Sequence, residues 1–178
     1  MIILFVLLFV VQYEPITFSY WEDYSSEQQQ AIIESPDLSP VIREYANQPC
    51  RVKDDNTFFL LAKELSDMNK QESGFRALYF NLFNELIVRS DGAIGEVLCD
   101  YVAKVVEEQP AYVFDFLQKH ADLSSQYQDL LAEYYYFHEE KSIRKDNEQV
   151  KRLCAGDDKS LIDGFYKEIL RKKELIDN

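Results

Sequence analysis

Between Phe75 and Ile87 the apolar residues fall on one helical stripe: Phe75, Leu78, Tyr79, Leu82, Phe83, Leu86 and Ile87. Ile94, Val97, Leu98, Tyr101, Val102, Val105 and Val106 repeat the same spacing. Positions i, i+3, i+4, i+7 and i+8 lie on one side of a helix with 3.6 residues per turn, so each segment presents a broad apolar face. Ser73-Gly74 and Ser90-Asp91-Gly92 separate these segments from their neighbours. Breaks this short predict antiparallel neighbours.

The same period extends in both directions. Phe58, Leu61, Leu65 and Met68 mark an earlier helix, with Asn56 or Thr57 as its cap. Pro110 opens a shorter one, with Val113, Phe116, Leu117 and His120 to one side. Asp122 to Ser124 offer caps for a helix carrying Leu123, Tyr127, Leu130, Leu131 and Tyr134. A charged stretch, Glu139 to Glu148, leads into a helix using Val150, Leu153 and Cys154. Ala155-Gly156 ends it. A last helix, capped by Asp157 or Asp158, carries Leu161, Ile162, Phe165, Tyr166, Ile169 and Leu170. Arg171-Lys172-Lys173 then suits the negative end of that helix dipole. No stretch alternates with period two. The predicted fold is all-α: antiparallel helical hairpins forming an irregular bundle or a short α-solenoid. The hairpins share no repeat signature beyond apolar periodicity, which supports no named repeat family.

Ahead of Phe58 the pattern loosens. Ser25-Ser26-Glu27-Gln28 reads as a capping box opening a helix through about Glu34. Ser39-Pro40 opens another through about Ala46. The predicted organisation is a leader over 1–19, a loosely structured N-terminal wrap over 20–57 and a helical domain over 58–178.

The leader is the only long uncharged run. Met1 to Val11 is entirely apolar, too short to cross a bilayer, which takes about 20 residues. It resembles the apolar core of a secretory signal peptide, and Thr17 and Ser19 supply small residues for cleavage before Tyr20. No Lys or Arg precedes the core, so the amino terminus alone carries the positive charge usual there. The competing reading is a buried first element. Export to the periplasm or the extracellular space is the expectation, with membrane contact only through this segment if it stays uncleaved.

Charge narrows the partners. The 178-residue chain has 19 Lys and Arg against 32 Asp and Glu, a net charge of −13. Residues 1–140 carry −15 and residues 141–178 carry +2. Such a body repels phosphate backbones, so no nucleic acid is expected, and a basic protein is the partner its charge suits.

Reactive chemistry is sparse. Cys50, Cys99 and Cys154 have no metal-binding spacing. Export would allow one pair to bridge, but buried thiols are the expectation. His120 and His138 lie on different predicted helices, and neither belongs to a ligand motif. Gly92-Ala-Ile-Gly95 lacks the lysine and glycines of a phosphate loop. Glu96, Asp100 and Glu107 form an acidic row opposite the Ile94 stripe, the pattern of a solvated face. No cofactor or metal is expected.

One feature resists a purely structural reading. Tyr134-Tyr-Tyr-Phe137 puts four aromatics in succession, which cannot all face one core. With Leu123 marking the buried direction, Tyr134 and Phe137 lie near it, Tyr135 at its edge and Tyr136 away from it. Asp129, Glu133 and Glu140 fall on the side of Tyr136. A tyrosine among acids makes a protein contact patch, unless another helix or the wrap covers it. The sequence thus reads as an exported acidic interaction module that neutralises a basic partner through Asp129, Glu133, Tyr136 and Glu140. The alternative is a hydrolase-like enzyme whose site assembles only in space.

Overall fold

The computed structural model describes residues 18–48, 55–90, 92–139, 141–154 and 159–177. Met1 to Val11, Thr17, Cys50, Glu140 and the proposed caps Asp157 and Asp158 lie outside the described residues. Among those described, 82% are helical and no strand occurs.

The capping signals place the first elements. Ser25 Oγ accepts the Gln28 N–H at 3.3 Å, and Gln28 Oε1 accepts the Ser25 N–H at 2.8 Å, opening α1 (Ser26–Glu34). Pro40 begins α2 (Pro40–Asn47). Arg43 ties the intervening turn together by donating to the carbonyls of Ile33, Ser35 and Leu38. A short 3-10 turn, Trp21–Asp23, precedes both.

The main body comprises α3 (Asp55–Leu65), α4 (Ser73–Arg89), α5 (Gly92–Glu108), α6 (Pro110–Leu117), α7 (Ala121–Phe137), α8 (Ile143–Leu153) and α9 (Lys159–Ile176). Ser73-Gly74 is not the break that its composition predicts. The chain turns earlier, through a 3-10 turn at Met68–Lys70, and Gly74 lies in the first turn of α4. A Cβ on Gly74 would come within 3.1 Å of Ile32 Cδ1, so the glycine serves the close approach of α1.

α7 is the centre of the bundle, packing most extensively on α9 and α5. α9 runs back along it, bringing Tyr166 to Tyr135 and Lys172 to Ser125. α5 runs in the same direction as α7: Gly95 meets Leu130, and Asp100 meets His138. α6 is the return between them. α8 and α9 form an antiparallel hairpin in which Asn147 and Lys151 both reach Asp163 at 2.8 Å. Consecutive α4 and α5 share neighbours, α3 and α7, rather than packing extensively on each other.

The stripes supply the core. Leu78, Phe83, Leu86, Leu98, Val102, Val113, Tyr127, Leu131 and Ile162 are buried. At this depth Tyr127 Oη donates to Asn84 Oδ1 at 2.8 Å. Some stripe positions do not bury. Val97, Leu153, Leu161 and Leu170 are exposed, each at the margin of its stripe.

Residues 18–48 lie against this body. Tyr20 is buried among Phe80, Tyr112 and Phe116, with ring centroids 4.7–6.3 Å away. Its hydroxyl lies 2.8 Å from both the Tyr112 carbonyl and Asp115 Oδ2. Tyr112 Oη in turn donates to the Ser19 carbonyl at 3.0 Å.

Candidate interaction surface

The outward strip of α7 lies between α5 and α9. Residues 129, 133 and 136 are spaced by four and three, so they share one side of the helix. Their environments nevertheless differ. Tyr136 is 39% exposed, packed edge-on against Phe137 at 5.3 Å. Phe137, placed near the core direction by the wheel, is 50% exposed, because α7 ends at this residue. Tyr135, placed at the edge, is buried instead. Its hydroxyl donates to Asp146 Oδ2 of α8 at 2.9 Å. Glu140 lies outside the described residues.

Asp129 already holds a cation. Its side chain is exposed, yet Lys172 Nζ of α9 sits 2.6 Å from Oδ1. The same ammonium reaches the Ser125 carbonyl at 3.2 Å and Ser125 Oγ at 3.1 Å. The Lys172 stem is largely covered, which is how a lysine buries its methylenes while presenting its charge.

Glu133 turns inward rather than sharing the exposure of Asp129. It is half-buried and leans on Gly95 of α5: a Cβ there would lie 3.4 Å from Glu133 Oε2 and 3.6 Å from Leu130 Cδ2. That oxygen is buried without a hydrogen-bond partner, and Gln126 Oε1 is in the same condition. Both residues line a cavity of about 330 Å³ between the end of α4 and the α5–α7 seam. Ile87, Val88 and Leu130 form its apolar wall, and Asp129 stands at its side.

Burial pushes the Glu133 carboxyl up, and the Glu96 and Asp129 carboxylates add to the rise. A carboxyl raised in the folded state favours the protonated form there. Its ionisation therefore destabilises the fold, by an amount that grows as pH rises from the unfolded value through the folded one. Glu133→Gln is thus expected to raise the melting temperature at pH 7, with the gain shrinking towards about pH 3 where both states are protonated. Thermal unfolding at the two pH values checks this. An equal shift at both would show that charge is not the cause.

The other candidate groups fall elsewhere. His138 Nε2 lies 2.8 Å from Asp100 Oδ1 at the surface, and His120 stacks on Phe116 with Glu22 at 3.6 Å. Cys99 is buried, and burial with the nearby Asp100 and Glu133 charges pushes its thiol up to about 12, far from a reactive thiolate. Cys154 is also buried. Among the described residues no group of three His, Cys, Asp or Glu is placed to hold a metal ion, and no helix is long and apolar enough to cross a membrane. A second recess, about 460 Å³, lies along α8 among Arg144, Lys145, Glu148, Gln149 and Arg152, and is basic.

Sequence reasoning did not reach Gly95, Gln126 or Lys172. The basic run at the end of the chain hinted at Lys172, but its partner lies 43 positions away. Gly95 and Gln126 carry no local signal, since their role depends on which helices meet. Compared with family models, with curated proteins and with solved structures, the chain matches none.

Proposed function

We propose that this chain is an acidic protein-interaction module whose α7 strip, between α5 and α9, holds a basic partner. The supporting observation is the ion pair the chain makes with itself. Lys172 rests on Asp129 and Ser125, showing the geometry in which this strip accepts an ammonium. Beside it Glu133 keeps an oxygen without a donor, and Tyr136 offers an exposed aromatic. Charge attraction steers such a partner, and the aromatic supplies contact area.

Export is part of the same reading, through Met1 to Val11 and cleavage after Ser19. The Tyr20 N–H already donates to Asp23 Oδ2 at 2.8 Å, so an ammonium created there would meet a carboxylate. Mass-spectrometric sequencing of the mature chain tests this, with Tyr20 as the expected first residue and an intact Met1 as the contrary result.

The binding test is a titration of the partner captured by the immobilised chain. Wild type is compared with the alanine variants of Asp129, Glu133, Tyr136 and Glu140, at low and high salt. Affinity should fall with salt, since exposed charges are screened over about 8 Å at physiological ionic strength. Tyr136→Ala should cost the most, about 2 kcal/mol. Unchanged affinity in all four would remove this face as the binding surface.

A further inference from the structure

We infer that the cavity at the α4 end of the α5–α7 seam is a receptor for one guanidinium-bearing side chain, an arginine of the basic partner. The inference rests on the binding role proposed above. It is carried by the cavity and its two orphaned acceptors rather than by acidity alone.

Gln126 Oε1 and Glu133 Oε2 are buried and have no donor. A buried acceptor left without a donor destabilises the fold, and here two such atoms belong to residues that line the same space. Neither has to be satisfied by two separate groups. A guanidinium carries five N–H donors in a planar fork, so one group can serve acceptors on different side chains. An ammonium offers its three donors from a single atom, which suits the compact Asp129–Ser125 site next door.

The remaining walls fit the stem of such a side chain. Ile87, Val88 and Leu130 are apolar, as the three methylenes of arginine require. The Glu133 carboxylate leans against α5 at Gly95, where a Cβ would lie in ordinary contact with Oε2 at 3.4 Å. The carboxylates lining the cavity are Glu133 and Asp129 of α7, with Glu96 of α5 near Glu133, while Lys172 and Arg171 of α9 stand near Asp129. At about 330 Å³ the open space has room for a side chain. Arginine is also a residue in which interface energy concentrates.

The test uses the full chain, n-butylguanidinium and n-butylammonium as probes, and amide NMR in about 150 mM salt, where diffuse attraction is screened. The expected result is a saturable shift of the Gly95 backbone amide and the Gln126 side-chain amide. n-Butylguanidinium should bind at least tenfold more tightly than n-butylammonium. Glu133→Gln and Gln126→Leu should each weaken it tenfold or more, whereas Leu60→Ala, on the exposed side of α3, should leave it unchanged. Equal binding of the two probes, shifts that rise without saturating, or full affinity in both cavity variants would overturn the inference. A chain that binds its partner through Tyr136 yet ignores n-butylguanidinium would lose this inference and keep the broader reading. A chain that binds the probe, while its surface variants hold the partner normally, would do the reverse.

Discussion

Replacing Tyr20 by alanine is expected to cost about 3–5 kcal/mol, the range for a large aromatic removed from a packed site. The ring is enclosed by Phe80, Tyr112 and Phe116. Truncation removes that packing and abandons the Asp115 carboxylate and the Tyr112 carbonyl that the hydroxyl faces. Tyr20→Phe separates the two effects. It keeps the ring and should cost about 1.5–3 kcal/mol, the usual range for a hydrogen bond to a charged group. Denaturant unfolding of both variants checks the order. If the alanine variant is as stable as wild type, residues 18–24 are not part of the cooperative unit.

Leu98→Ala should be comparably severe, at about 2–5 kcal/mol. Leu98 is fully buried on α5, the helix that connects α3, α6 and α7. The spread reflects how far the surrounding helices can close on the space left behind. Val97→Ala is the internal control. It sits one position away on the same helix but is exposed, so it should change stability by no more than about 0.5 kcal/mol. Similar losses for both would mean that α5 is rotated about its axis relative to the structure described.

The contrast between Leu98 and Val97 shows what a sequence can carry. Period 3.6 fixes which side of α5 is apolar, and Leu98, Val102, Val105 and Val106 bury accordingly. It does not fix how wide the covered arc is, because that depends on where the neighbours lie. Val97, Leu161 and Leu170 fall outside that arc. Capping chemistry is local, so Ser25 with Gln28, and Pro40, mark their helix starts directly. Ser73-Gly74 misleads, since a glycine signals both a turn and a close approach, and here the approach of Ile32 decides.

The surface was legible to the same depth. Tyr136 points outward as the wheel requires, because nothing beyond α7's own geometry is needed. Tyr135 is pulled inside by Asp146 and Tyr166, which arrive from helices later in the chain. Glu133 leans from the surface into the cavity, where α5 packs against it at Gly95. Lys172 reaches Asp129 because α9 folds back along α7. These non-local encounters turn an acidic strip into a shaped surface.

Hydrogen exchange of the full chain, with and without its captured partner, tests that surface most directly. Peptides covering residues 125–137 of α7 and 94–100 of α5 should gain protection, because the partner would cover the Tyr136 strip and close the cavity at Gly95. Unchanged exchange there, with protection appearing instead along the basic face of α8, would contradict the account.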